Sequence, residues 1–345
     1  MAASLALTKI RAVLAAVWIA LAMASGAHAQ VVAPDAIDIL PPWFVETFFD
    51  FQEDIADAAK DRRRLLVYFG QDGCPYCRQL MVNNFSQQRI VEKTRAHFVA
   101  IALNIWGDRE IKWVDGRAMP EKDLARLLKV QFTPTLLFFD ERGEVIVRLD
   151  GYYPPQRFEA VLDYVAARRE NGESLGDYLA RTVRETASPA LHDEPFFMRP
   201  PYDLRRKAGG KPLAVLFETA DCPGCDELHR EAFRRPEILA LLERFDVARF
   251  ALGAPTALTT PSGAATTAQA WARTLGVAYT PTVVFFDTSD AEVFRISAYL
   301  RPFHLAGSLQ YVADGGYRSE PSFQRYLQRR ADQLRARGEE VNLWR

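Results

Sequence analysis

Cysteine is scarce in this chain: four residues out of 345, all of them in two pairs, Cys74-Pro75-Tyr76-Cys77 and Cys222-Pro223-Gly224-Cys225. None is left to staple distant segments together, which excludes the disulfide framework of small secreted domains and leaves stability to ordinary cores. A charge of one sign is lacking as well. The 43 Lys and Arg are offset by 44 Asp and Glu, so there is no basic field for nucleic acid and no long acidic tail to suggest disorder. Long apolar runs are missing except near the start, where Ala12 to Ala24 is too short for an ordinary membrane span.

That short run reads as part of an export signal. Lys9 and Arg11 form a positive flank, and Ala27-His28-Ala29 is a small-x-small ending before Gln30. Residues 1–29 are expected to be removed. The remaining chain is expected to be soluble, in an oxidising compartment such as a bacterial periplasm, with a formal charge of about -3 once Lys9 and Arg11 are gone. Its length suits two domains.

An internal repeat makes the two domains concrete. An apolar strand-like run, Leu65 to Phe69, precedes the first cysteine pair, and Leu213 to Phe217 precedes the second. Strand-like Phe98 to Ala102 and Val247 to Ala251 come next, followed by short helical segments at Glu121 to Leu128 and Thr267 to Leu275. Both units then reach nearly the same phrase, Phe132-Thr133-Pro134-Thr135 and Tyr279-Thr280-Pro281-Thr282, each leading into an apolar strand. Later helices are predicted at Leu175 to Thr182 and Phe323 to Leu334. A helix is also predicted from Trp43 to about Lys60, because Phe44, Phe48, Phe51, Ile55 and Ala59 share one side. The prolines between Thr186 and Arg206 place the junction there. The expected domains are residues 41–186 and 203–338, with 187–202 as linker. The stretches Asn104 to Met119 and Ala254 to Ala270 read as loops.

A Cys-x-x-Cys pair after a strand and at the start of a helix is the context of dithiol redox chemistry. Unpaired N–H groups at a helix start stabilise a thiolate, and the two-residue spacing lets the second sulfur resolve a mixed disulfide formed by the first. Other readings of the four cysteines are two inert disulfides, or a single zinc site of four thiolates. Cys222, Cys225 and His229 form a smaller candidate metal constellation, although a lone His on a helix is more often solvent-facing. Tyr68, Phe69, Phe138, Phe139, Phe285 and Phe286 read as core residues.

With these parts in place, the chain resembles the thioredoxin superfamily across residues 43–185 and 203–335. The first unit is similar to periplasmic SoxW-type thioredoxins through Tyr68-Phe69-Gly70-Gln71-Asp72-Gly73-Cys74-Pro75-Tyr76-Cys77 and Gly151-Tyr152-Tyr153-Pro154-Pro155. The second departs from that type, with Ala298-Tyr299-Leu300-Arg301-Pro302 in place of the latter phrase. The resemblance implies an α/β fold of two tandem domains, each a mixed sheet flanked by helices. It implies attack by Cys74 and Cys222, and resolution by Cys77 and Cys225. Pro134 and Pro281 become cis-prolines, with Thr133 and Thr280 before them positioning an extended peptide. Pro75, Tyr76, Pro223 and Gly224 become candidates for tuning redox poise, and Gly224 is expected to leave the second site the less obstructed. The superfamily's buried acid, six residues before the attacking cysteine, is replaced by Tyr68 and Leu216.

The implied activity is thiol-disulfide exchange, in the direction of reducing periplasmic protein or small-thiol disulfides, with a link to sulfur oxidation or redox homeostasis. A membrane electron-delivery protein is the expected upstream partner. No cofactor, resident metal or nucleic acid is expected. A disulfide oxidase or isomerase, or a substrate-binding adaptor with inert disulfides, are the alternatives.

Overall fold

The computed structural model describes residues 40–183, 187–339 and 341; the expected export signal lies outside them. Two four-stranded mixed sheets organise the chain. The first half runs α1 (Phe51–Lys60), β1 (Arg64–Gly70), α2 (Pro75–Gln79), a π-helical turn (Leu80–Asn84), α3 (Gln88–His97), β2 (Phe98–Asn104), β3 (Glu110–Lys112), β4 (Ala118–Pro120), α4 (Glu121–Leu127), β5 (Thr135–Phe139), β6 (Val145–Asp150), α5 (Pro155–Ala166) and α6 (Leu175–Thr182). Strand order is β2-β1-β5-β6. β1 is parallel to β2 and antiparallel to β5, and β5 is antiparallel to β6.

The second half repeats this plan with β7 (Tyr202–Asp203), β8 (Leu213–Glu218), α7 (Pro223–Arg230), α8 (Pro236–Leu242), β9 (Asp246–Ala251), β10 (Ala257–Thr259), β11 (Ala265–Thr267), α9 (Ala268–Thr274), β12 (Thr282–Phe286), β13 (Glu292–Ile296), α10 (Pro302–Ala313), α11 (Gly316–Ser319) and α12 (Phe323–Ala336). Its sheet order is β9-β8-β12-β13. The stretches read as loops each contain a small hairpin, β3-β4 and β10-β11.

Every residue of β1 and β8 is buried, as expected of central strands covered on both faces. Alternation divides each strand between two cores. Leu66 and Tyr68 enter the core under α2, whereas Leu65, Val67 and Phe69 enter the opposite one. Ala214 and Leu216, against Leu213, Val215 and Phe217, do the same in the second half.

One expectation is corrected. The first helix begins at Phe51, not Trp43. Asp50 caps it, accepting from the Gln52 and Glu53 N–H groups at 3.1 and 3.3 Å, and Phe49 before it has φ 56°, which ends helical continuity. Trp43 and Phe44 instead stack and pack against Phe85, while Phe48 is fully exposed. The stretch expected as linker packs on the second half. Phe197 lies in its core, Phe197 bridges to Val247, and Tyr202 and Asp203 pair with Leu258 and Thr259. Proline limits regular structure there without freeing the chain from the core.

The halves meet through matching positions. Phe132, at the approach to the first proline phrase, lies in the second half's core against Phe294 and Phe323. Its counterpart Tyr279 lies in the first half's core, with its ring 4.5 Å from that of Tyr153. Gly151 and its counterpart Ala298 face each other: a Cβ on Gly151, whose φ is +94°, would lie 3.3 Å from the Ala298 methyl. Glycine therefore meets both a backbone need and a close approach.

Candidate functional site

Each cysteine pair sits where its sequence context directs it. β1 ends at Gly70 and β8 at Glu218, and a short loop brings Cys74 and Cys222 to the caps of α2 and α7. Pro75 and Pro223 occupy the first helical turn, where a missing N–H costs nothing. Both pairs are disulfides, with Cα atoms 5.2 Å apart in each. Cys74 Sγ accepts from the Cys77 N–H at 3.0 Å, and Cys222 Sγ from the Cys225 N–H at 3.1 Å. The sulfur that would carry negative charge thus already has a backbone donor.

The proline phrases arrive beside the same sulfurs. Thr133–Pro134 and Thr280–Pro281 are cis, as is Pro200–Pro201, which the sequence reading did not single out. The Thr133 hydroxyl donates to Cys74 Sγ at 3.2 Å, and its carbonyl oxygen lies 3.4 Å from that sulfur. In the second half the Thr280 hydroxyl pairs with Thr219 at 2.9 Å. Gln71, the counterpart of Thr219, donates to Thr133 Oγ1 at 3.1 Å and to Gln324 of the second half at 2.9 Å, and accepts from Trp106 Nε1 at 2.8 Å.

Residues 51–166 and 205–313, more than half of the chain, match the family described as thioredoxin-like domain. The chain belongs to the thioredoxin-like family. Among solved structures it is similar to a thioredoxin-fold protein from Helicobacter pylori at 26% identity, over 39% of this chain and 90% of that one, with a TM-score of 0.32. A thioredoxin from Thermus thermophilus is 30% identical over 35% of this chain and 86% of that one, with a TM-score of 0.28. A protein disulfide oxidoreductase from Aeropyrum pernix is 14% identical over 80% of this chain and 97% of that one, with a TM-score of 0.25. No curated protein matches.

Within this thioredoxin-like frame, the first cysteine of each pair is covered. Cys74 is 5% exposed and Cys222 2%, because each half lies over the other's site. Tyr76, between the first two cysteines, is buried: its hydroxyl accepts from the Arg301 N–H at 2.9 Å and its ring lies 5.1 Å from His304. Burial pushes its phenol pKa up to about 12, so it remains a neutral hydrogen-bonding group. Across the same boundary the Tyr153 hydroxyl donates to the Ser297 carbonyl at 2.7 Å, and Arg157 Nη1 donates to the Thr280 carbonyl at 3.2 Å. Tyr152, Tyr299, Arg157, Arg301 and Gln324 therefore belong to the site's surroundings. The Gly-Tyr and Ala-Tyr phrases contain Tyr152, Tyr299 and Arg301, whereas Arg157 and Gln324 lie outside both and carried no signal in the sequence.

The space left at the two sulfurs differs. The cavity at Cys74 is about 20 Å³, room for about one water. That at Cys222 is about 200 Å³. Gly224, the counterpart of Tyr76, contributes to the difference by carrying no ring, although its Cα is tightly flanked: a Cβ there would lie 3.1 Å from Pro281 Cδ and 3.3 Å from Tyr299 Cβ.

His229 is not solvent-facing. It is buried between two buried carboxylates, with Nδ1 2.9 Å from Glu194 and Nε2 3.0 Å from Glu218. Burial disfavours the imidazolium, but the Glu218 and then the Glu194 interactions outweigh it and raise the pKa. Among the described residues no group of three or more His, Cys, Asp or Glu is arranged to hold a metal; His229 pairs with carboxylates instead of joining Cys222 and Cys225.

Proposed function

We propose that this protein is an exported thiol-disulfide oxidoreductase that reduces disulfides at Cys74 and Cys222, with Cys77 and Cys225 as the resolving thiols. The observation that carries the reading is the repeated constellation: a helix-capping cysteine whose sulfur accepts a backbone N–H, its partner one helical turn on, and a cis-proline phrase packed beside it. Helix-start N–H groups lower a thiol pKa, raising the thiolate fraction that performs exchange. The thiolate attacks a substrate disulfide, one substrate thiolate leaves, and the resolving thiolate then displaces the second as the protein's disulfide closes. Two electrons pass to the substrate.

Because the halves cover each other's sulfurs, a folded protein disulfide requires them to part before it reaches Cys74. Periplasmic location is supported by Lys9, Arg11 and the Ala27-His28-Ala29 ending, and a role near sulfur oxidation by the Tyr68 to Cys77 phrase. Membrane delivery of electrons is the corresponding upstream step. Single Cys77→Ser and Cys225→Ser variants test the reading. Each is expected to accumulate a mixed disulfide through Cys74 or Cys222 when reduced and mixed with a model disulfide, visible as an intact-mass increase. Absence of an adduct at both sites would instead favour an adaptor with inert disulfides.

A further inference from the structure

We propose that Gln71, held by Trp106, is a positioning residue that aims the Thr133 hydroxyl proton at Cys74 and so stabilises the thiolate that begins exchange. The inference rests on the exchange reading above and adds two residues to the first of its sites.

Donor and acceptor chemistry fixes the direction of the proton. An indole N–H can only donate, and a side-chain amide has an oxygen that accepts and a nitrogen that donates. Trp106 Nε1 donates to Gln71 Oε1 at 2.8 Å, which turns the amide nitrogen of Gln71 the other way. That nitrogen donates to Thr133 Oγ1 at 3.1 Å. A hydroxyl whose lone pair is engaged in this way keeps a single proton to give. The Thr133 hydroxyl gives it to Cys74 Sγ at 3.2 Å.

The far side of the network sets the same direction. Gln71 Nε2 also donates to Gln324 Oε1 at 2.9 Å. Gln324 is held in turn, because its Nε2 donates to the Gln131 carbonyl at 2.8 Å, a group that can only accept. A donor-only group at one end and an acceptor-only group at the other leave the Gln71 amide one orientation. Trp106, Gln71, Thr133 and Cys74 all belong to the first half. Parting the halves therefore takes Gln324 from the network and leaves the other three links.

What the network acts on is the charge of the sulfur. When the Cys74 thiol loses its proton to solvent, the negative sulfur meets two donors, the Cys77 N–H at 3.0 Å and the Thr133 hydroxyl. Hydrogen bonds to an ionised group favour that form and lower its pKa. Thr133 and Cys74 are both buried, so water competes little with the bond between them. The second half has no such fixed direction. Thr219 stands where the first half has Gln71, and its hydroxyl pairs with that of Thr280 at 2.9 Å, with either oxygen able to donate.

The test uses the full chain carrying Cys77→Ser, Cys222→Ser and Cys225→Ser, which leaves Cys74 as its one cysteine. Ionisation is followed against pH by the ultraviolet absorbance of the thiolate, after subtraction of the cysteine-free protein. Thr133→Val is expected to raise the Cys74 pKa by about one pH unit, a roughly tenfold smaller thiolate fraction below the pKa, and Thr133→Ser to keep the original value. Gln71→Met is expected to lower that fraction about threefold or more, and to add nothing in the Thr133→Val background. An unchanged Cys74 titration in Gln71→Met, or a further rise when it is combined with Thr133→Val, would overturn the proposal. Where Gln71→Met does not fold, Gln71→Glu answers the same question. Its carboxylate accepts from Trp106 and from Thr133, drawing the proton away from the sulfur, so its effect is expected to be larger with Thr133 present than in the Thr133→Val background. An equal effect in both backgrounds would overturn the proposal. The exchange reading fails separately at the first dithiol, if the Cys77→Ser variant forms no mixed disulfide with a model disulfide.

Discussion

His229 shows how one side chain can change meaning between sequence and fold. It lies seven residues after Cys222, where the first half has Met81 after Cys74, so the core beneath one cysteine helix is apolar and beneath the other is ionic. Glu218 likewise replaces Gly70, a position where any Cβ would run into the Tyr68 hydroxyl. His229→Leu leaves Glu218 and Glu194 buried without their shared partner and is expected to cost about 3–5 kcal/mol in urea unfolding; a loss below 1 kcal/mol would show that the carboxylates repair their own environment. None of this was visible from a single His in the sequence, because its partner Glu194 lies 35 residues away in a stretch read as linker.

His304 gives the pH prediction at the same scale. Burial, then the positive charges of Arg301 and Arg330, lower its pKa to about 4. Its folded value is below the unfolded one near 6.5, so its contribution is complete above about pH 6.5 and is lost as pH falls toward 4. The magnitude is on the order of 3 kcal/mol. Unfolding stability measured at pH 7 and pH 5 is expected to differ less in His304→Gln than in the unchanged protein. An identical difference in both would remove this histidine from the acid response.

At the scale of elements, most of the plan was legible. Apolar runs marked β1, β2, β5 and their counterparts, since strands buried on both faces need little else. The Cys-Pro starts located α2 and α7, and Leu175 to Thr182 is helical over the predicted span. The segment from Trp43 to Phe49 was misread because aromatic residues at helical spacing can also serve a packed irregular chain. Here the cap at Asp50 decides the boundary. Asp50→Ala is expected to cost about 1 kcal/mol, read as a lower denaturation midpoint; no change would mean that backbone contacts, such as the Lys112 N–H donated to the Phe49 carbonyl at 2.9 Å, fix the helix start. The cysteine and proline phrases were legible as residues, but their coverage by the opposite half was not, since sequence repeats do not disclose how two repeats face each other.

For the whole molecule, the reciprocal insertion of Phe132 and Tyr279 makes the two halves share their cores. Phe132→Ala with Tyr279→Ala removes the ring each half lends the other, at a cost of about 3–5 kcal/mol per large buried ring. Calorimetry is expected to change from one unfolding transition to two, and alkylation of reduced Cys74 to accelerate as its cover loosens. One unchanged transition with unchanged alkylation would mean that the covering contacts do not govern access.

The central claim is that both dithiols perform exchange in the reducing direction. Its most direct test is the reduction potential of each pair, measured by thiol trapping in defined dithiothreitol buffers, with the other pair replaced by serines. The account predicts potentials near the reducing value of about -270 mV found for thioredoxin, and transfer of electrons from each reduced pair to a model disulfide. Potentials near the -120 mV of a strong disulfide donor, with efficient oxidation of added thiols, would contradict it and make the protein an oxidase.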